Sequence, residues 1–129
     1  MSETVNISEK AQATAQRLFP EGGLSLGATD PEFIERHANF AFDEVMNHGD
    51  MDDRTRFLAI LATLVGCQGV DLFEEMVPAA MNAGLTPVEI KEVVYQAVAY
   101  CGIGRVYPFI KAANALFADK GIDLPLPPQ

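Results

Sequence analysis

The sequence has few basic residues, few cysteines and no long apolar run. Nine lysines and arginines stand against 18 aspartates and glutamates, which gives a formal net charge of -9 at pH 7. A chain with this charge repels nucleic acid and anionic lipid, so we expect neither as a partner. Hydrophobic residues make up 49% of the chain, but no run approaches the ~18 apolar residues of a membrane span.

The sequence also lacks a signal-peptide pattern, a disulfide framework and the common cofactor and metal motifs. The polar N-terminus, MSETVNISEK, has neither the basic start nor the apolar core of a signal peptide, so we expect a cytoplasmic protein. The two cysteines, Cys67 and Cys101, do not make a disulfide framework in a chain of 129 residues. No phosphate loop, nucleotide fingerprint, serine nucleophile elbow or zinc-ligand spacing occurs, and we therefore expect no cofactor and no metal.

Helix start and stop signals are the strongest local pattern in the sequence. Thr86, Pro87 and Glu89 match an N-cap, a first helical residue and the third residue of a capping box. Strand alternation never lasts more than a few residues, so the fold class is all-α. Six helices are predicted: 9–19, 31–48, from Asp50 or Asp52 to Val65, 71–82, from Pro87 to about Cys101, and 105–120.

The chain length fits a single domain, residues 1–129, with residues 1–7 and 123–129 as loose ends. The third helix is apolar nearly all the way round, which is typical of a central helix with neighbours on every side. Six helices with this much apolar surface are difficult to bury in a 14.0 kDa monomer. The sequence therefore predicts a homo-oligomer.

Residues 81–102, MNAGLTPVEIKEVVYQAVAYCG, resemble the carboxymuconolactone decarboxylase family. Its members carry a similar Asn-Ala-Gly-Leu-Thr-Pro segment that leads into Ala-Tyr-Cys-Gly, and the likeness extends over about 33–117. The resemblance implies an alkyl hydroperoxidase D-like helical fold that assembles as trimers or hexamers. It also implies one of two activities on a small-molecule substrate, a decarboxylase-like lyase or a thiol peroxidase with peroxiredoxin activity.

Glu44 and His37 are the candidate catalytic residues of a lyase. In a continuous α-helix, seven residues turn by about 700°, so that His37, Glu44 and then His48 follow one stripe. An imidazole and a carboxylate on an apolar face can form an acid–base pair, and three such groups can also hold a metal. The alternative is that this stripe is partly exposed, and that its polar side chains interact only with water or with an arginine. Glu44 also matches a Phe-Ala-x-x-Glu-Val pattern common in the decarboxylases.

Cys67 and Cys101 are the candidate catalytic residues of a thiol-dependent peroxide or disulfide reductase. The peroxide-reducing relatives use a Cys-x-x-Cys pair followed by a histidine, and that motif is absent here. Met76 stands at the position of the histidine. The alternative is that both cysteines are small, buried, apolar residues of the core.

Three further residues are predicted to contact the substrate. Arg56 falls where the family has an arginine, and it can bind a carboxylate in a bidentate fork. The alternative is that Arg56 forms an ion pair with a nearby acidic side chain. Tyr100 and Met76 match positions near the family's pocket, but methionine cannot supply the charge or proton that the family's histidine supplies. The third hypothesis is therefore a non-catalytic member that binds a small molecule or a partner protein.

Overall fold

The computed structural model describes residues 6–22 and 25–128, and it confirms the all-α prediction for them. The described residues group into two compact units, one ending at Met51 and one beginning at Asp52. The elements, in chain order, are α1 (Glu9–Leu18), a 3₁₀ turn (Ser25–Gly27), α2 (Pro31–Asn39), a π-helical segment (Phe40–Val45), α3 (Asp53–Gly66), α4 (Val70–Asn82), α5 (Pro87–Cys101) and α6 (Ile103–Asp119).

In the first unit, side-chain hydrogen bonds hold the start of α1 on the π-helical segment. The Ser8 hydroxyl caps α1 by accepting from the Ala11 N–H at 3.1 Å, and it donates to Asp43 Oδ2 at 2.6 Å. The Ser8 N–H donates to Asn39 Oδ1 at 2.8 Å, and Asn39 Nδ2 donates to the Asn6 carbonyl at 2.9 Å. The Ile7 carbonyl accepts from Gln12 Nε2 at 2.6 Å, so residues 6 and 7 are both held by hydrogen bonds. Residues 1–5, the rest of the N-terminal end expected to be loose, lie outside the described residues.

In the second unit, α3 packs on α4 and α5, and α6 packs on α4 and α5. Phe73 and Phe109 meet edge to face across the α4–α6 contact, with ring centroids 5.1 Å apart. The fully buried large side chains of this unit are Phe57, Leu61, Val65, Phe73, Val77, Ile90, Val94, Val106, Phe109 and Phe117. They are contributed by all four helices, as expected for one apolar core.

The third predicted helix differs from expectation in its surroundings. Only Phe57, Leu61 and Val65 of α3 are buried, and they recur every four residues along one face. Ala59 and Ala62 are exposed. The all-round apolar pattern thus does not give an all-round buried helix in the single chain.

The C-terminal tail lies against α5 and α6 within the second unit. Residues Leu124 to Pro128 form one wall of a cavity whose other walls come from α5 and α6. The sequence predicted a loose end here, because the segment is rich in proline and has no helical pattern.

None of the described helices is long and apolar enough to cross a membrane.

The start of α5 has the capping box expected from the sequence. The Thr86 N–H donates to Glu89 Oε1 at 2.9 Å, and the Glu89 N–H donates to Thr86 Oγ1 at 3.1 Å. Glu89 also forms an ion pair with Arg54 in the first turn of α3. One carboxylate therefore caps α5 and joins it to α3.

We expect Thr86→Ala to lower the free energy of unfolding by about 1 kcal/mol, because it removes the N-cap acceptor. Urea denaturation followed by circular dichroism measures the change. Thr63→Ala is the matched control, since Thr63 is exposed inside α3 and alanine is the better helix former there. An unchanged midpoint for Thr86→Ala would show that the cap does not stabilise the fold.

Candidate functional site

His37 lies in a small aromatic cluster of the first unit. Its ring stacks on Phe33, with centroids 6.4 Å apart and an interplanar angle of 13°, and it meets the edge of Phe42 at 5.3 Å. Phe42 in turn contacts Phe19 at 5.3 Å. The Nε2 atom of His37 is buried and has no hydrogen-bond partner among the described residues.

The π-helical segment explains the contact between His37 and Phe42. Residues five positions apart point about 140° away from each other in an α-helix, so their rings would not meet. Hydrogen bonds in a π-helix join residues i and i+5, and the Met46 N–H donates to the Ala41 carbonyl at 3.3 Å in this way. The wider turn reduces the angle and brings Phe42 to the side of the helix that carries His37.

Burial lowers the pKa of His37 below its ordinary value of 6.5. The cause is desolvation, because the positive imidazolium loses water contact and gains no carboxylate partner. His37 is therefore a neutral imidazole at pH 7. Such a ring has one nitrogen that accepts and one that donates.

The same π-helical segment separates Glu44 from the predicted stripe. One additional residue in a turn displaces the following residues by up to about 100° around the helix axis. Glu44 is exposed, whereas Phe42 and Met46 are buried. His48 lies beyond the segment, in an exposed turn. The seven-residue relation between His37 and Glu44, which assumed one α-helix over 31–48, is thus wrong.

The predicted substrate-contacting residues have different environments. Arg56 is half-buried in α3, and Met76 is buried in α4 beside Phe73 and Val77. Tyr100 is 89% exposed at the end of α5. The described residues contain no group of three or more histidines, cysteines, aspartates or glutamates placed to hold a metal ion.

Both thiols lie at helix ends and are free. Cys67 follows the last residue of α3 and is exposed, with its Sγ donating weakly to the Leu64 carbonyl at 3.7 Å. Cys101 is the last residue of α5 and is half-buried. The exposure of Cys67 differs from the buried apolar role that is usual for a free cysteine.

The sequence did not identify Lys91 as a candidate. In the structure its side chain is buried and lines the cavity under the C-terminal tail. The signal for its burial is its place next to Ile90 and three residues before Val94, both fully buried. The long aliphatic stem of a lysine fits such a position.

The model of the carboxymuconolactone decarboxylase family matches residues 31–115, which is more than half of the chain. The chain belongs to the carboxymuconolactone decarboxylase family. The matched range contains all seven site residues predicted from the sequence, and the resemblance seen there is confirmed. A search of the curated proteins found no match.

Membership of the carboxymuconolactone decarboxylase family establishes a decarboxylase-like, alkyl hydroperoxidase D-like protein with the all-α fold. A shared fold does not by itself fix the reaction, which depends on the side chains of the site. The resemblance implies a histidine where Met76 stands, and the histidine of this chain with a buried nitrogen that lacks a partner among the described residues is His37.

We expect the burial of His37 to make the protein less stable at acidic pH. Because its folded pKa is lowered, the contribution to stability is fully present above 6.5 and is lost as the pH falls through the folded pKa. Urea denaturation between pH 5 and pH 8 should show that the free energy of unfolding falls as the pH is lowered in the wild-type protein. The fall should be much smaller in His37→Gln. His48→Gln, which alters the exposed histidine, should retain it. Equal pH dependence of the wild-type protein and His37→Gln would refute the assignment.

Proposed function

We propose that this protein is a cofactor-free enzyme that acts on a small organic acid or lactone by proton transfer or decarboxylation. His37 is the residue that moves the proton, and Glu44 is the second acid–base group. The observation that carries this proposal is the Nε2 atom of His37, which is shielded from water and unpaired among the described residues. A neutral imidazole is the usual general base near pH 7.

The chemistry divides into two steps. In the first, Nε2 takes a proton from a substrate carbon next to a carbonyl group, or the carboxylate C–C bond breaks and carbon dioxide leaves. Negative charge then spreads over the carbon and the carbonyl oxygen. In the second, the carbanion is protonated. Where Nε2 took a proton, the His37 imidazolium returns it to the substrate; where carbon dioxide left, the Glu44 carboxylic acid donates the proton.

Homo-oligomer formation is part of the same proposal. Three large apolar side chains on α2 and the π-helical segment are exposed in the single chain: Phe33, Phe40 and Val45. Surface apolar side chains in one region mark contact sites on soluble proteins. A second copy packed on this face would remove water from around Glu44, and desolvation favours the protonated carboxyl group that the second step needs.

We expect Glu44→Gln and His37→Gln each to lower kcat by about 10²–10⁴-fold, the usual contribution of a general acid or base. The assay is carbon dioxide release or loss of lactone absorbance with carboxymuconolactone and related lactone acids. Glu92→Gln makes the same chemical change at an exposed residue of α5 and should leave kcat unchanged.

Size-exclusion chromatography with light scattering checks that the variants assemble as the wild type does. Full turnover by Glu44→Gln would remove Glu44 from the mechanism. Full turnover by both Glu44→Gln and His37→Gln would overturn the proposed function.

A second candidate function is a thiol-dependent peroxide reductase. The exposure of Cys67 favours it, because an accessible thiol reacts with peroxide more readily than a buried one. Peroxide would oxidise Cys67 to a sulfenic acid with release of the alcohol or water. Cys101 would then displace water to form a disulfide. This requires the two Cα atoms to approach within about 7 Å.

We expect, for the reductase candidate, a loss of two hydrogens from the intact mass after mild peroxide treatment. Both Cys67→Ser and Cys101→Ser should abolish that loss, while Ser25→Ala, a change at a serine outside the helices that carry the thiols, should not. A mass that stays constant in the wild-type protein would exclude this candidate.

A further inference from the structure

The second unit contains a cavity of about 760 Å³ between α5, α6 and the C-terminal tail. Lys91, Tyr95 and Asn114 line it on the helix side, and the tail contributes Leu124, Pro125, Leu126, Pro127 and Pro128. This volume is within the range of about 300–1,000 Å³ that is typical of small-molecule sites. The wall formed by the tail is apolar, whereas the helix side is polar.

Lys91 is the charged residue among those that line the cavity, and it is only 7% exposed. Its ammonium lies 5.9 Å from the centre of the Tyr95 ring and has no carboxylate within ion-pair distance among the described residues. Most of the Lys91 side chain is thus withdrawn from water without a counterion, which is costly for a charged residue. The desolvation lowers the pKa of Lys91 from its ordinary value, which agrees with a charge that lacks a partner.

Asn114 supplies a second polar atom without a partner. Its Oδ1 is buried and accepts no hydrogen bond from the described residues. Buried carbonyl oxygens in folded proteins nearly always have a donor. The proline residues of the tail have no backbone N–H, so three of the five tail residues in the wall cannot provide one.

We propose that this cavity binds a small organic acid, with its carboxylate on the Lys91 ammonium, a hydrogen-bond donor such as a hydroxyl group on Asn114 Oδ1, and its apolar body against the leucines and prolines of the tail. The three parts of the ligand correspond to the three kinds of lining group. The site supplies a charge-assisted hydrogen bond, an acceptor and an apolar wall, which together fix the orientation of the ligand.

Other classes of ligand fit the lining less well. A cation would add a second positive charge beside Lys91, and a neutral apolar molecule would leave both Lys91 and Asn114 unpaired. A bare inorganic anion would pair with Lys91 but would leave the wall of Leu124 and Leu126 in water. The proposal does not depend on proton transfer by His37, since all the lining residues belong to the second unit.

The test uses 2-naphthoate as the probe, with fluorescence titration of the full-length protein. We expect 2-naphthoate to bind the wild-type protein and its neutral analogue 2-naphthamide to bind at least about tenfold more weakly, a factor that corresponds to about 1.4 kcal/mol. Lys91→Met, which keeps an unbranched apolar stem, should weaken naphthoate by a similar factor. Asn114→Asp should also weaken it, because the new carboxylate pairs with Lys91 and repels the probe.

Lys111→Met is the matched control. Lys111 of α6 also lies 5.9 Å from a tyrosine ring, that of Tyr107, but it is exposed and does not line the cavity. Its replacement should change the naphthoate affinity less than about twofold. Circular dichroism verifies folding. If Lys91→Met does not fold, two measurements still test the proposal. They are the affinities of the wild-type protein for 2-naphthoate and 2-naphthamide, and the affinity of Asn114→Asp for 2-naphthoate.

Three results would overturn the proposal. They are equal binding of 2-naphthoate and 2-naphthamide, unchanged affinity in a folded Lys91→Met protein, and no binding to the wild-type protein. Because these measurements involve no turnover, they are independent of the outcome for Glu44→Gln and His37→Gln.

Discussion

The π-helical segment after α2 is the constraint on which the candidate catalytic site depends. Its wide turn places Phe42 on the side of the helix that carries His37, and the Phe42 ring then shields the imidazole from water. Ser8 holds the segment through Asp43, so the start of α1 helps to fix an irregular turn. Short π-helical insertions occur frequently at functional sites, where the altered register positions side chains that an α-helix would separate.

Unpaired polar atoms in apolar surroundings are the feature that the two proposed sites share. A buried donor or acceptor without a partner costs about 1–3 kcal/mol, and a buried charge costs more. His37 Nε2 and Asn114 Oδ1 are such atoms, and Lys91 is a mostly buried lysine with no carboxylate within ion-pair distance among the described residues. A ligand that supplies the missing partner recovers this free energy on binding. The same groups that weaken the empty protein thereby favour binding of the complementary ligand, and they define its chemistry as that of a small acid.

Much of the fold was predictable from the sequence, because caps and breakers are local signals. Thr86, Pro87 and Glu89 gave the start of α5, and Pro31 gave the start of α2. The π-helical segment was not predictable, because FAFDEV has the same apolar spacing as an ordinary helix. The placement of Glu44 failed for that reason. Lys91 was missed because a charged residue in an amphipathic pattern is usually exposed, and its burial depends on a tail distant in sequence.

The most direct test of the central claim is a measurement of the His37 imidazole by ¹⁵N NMR through long-range proton–nitrogen couplings. The account predicts a neutral ring at pH 7 whose Nε2 resonance shifts when a small lactone acid is added. A doubly protonated ring at pH 7, or an Nε2 resonance that does not respond to the acid, would contradict it.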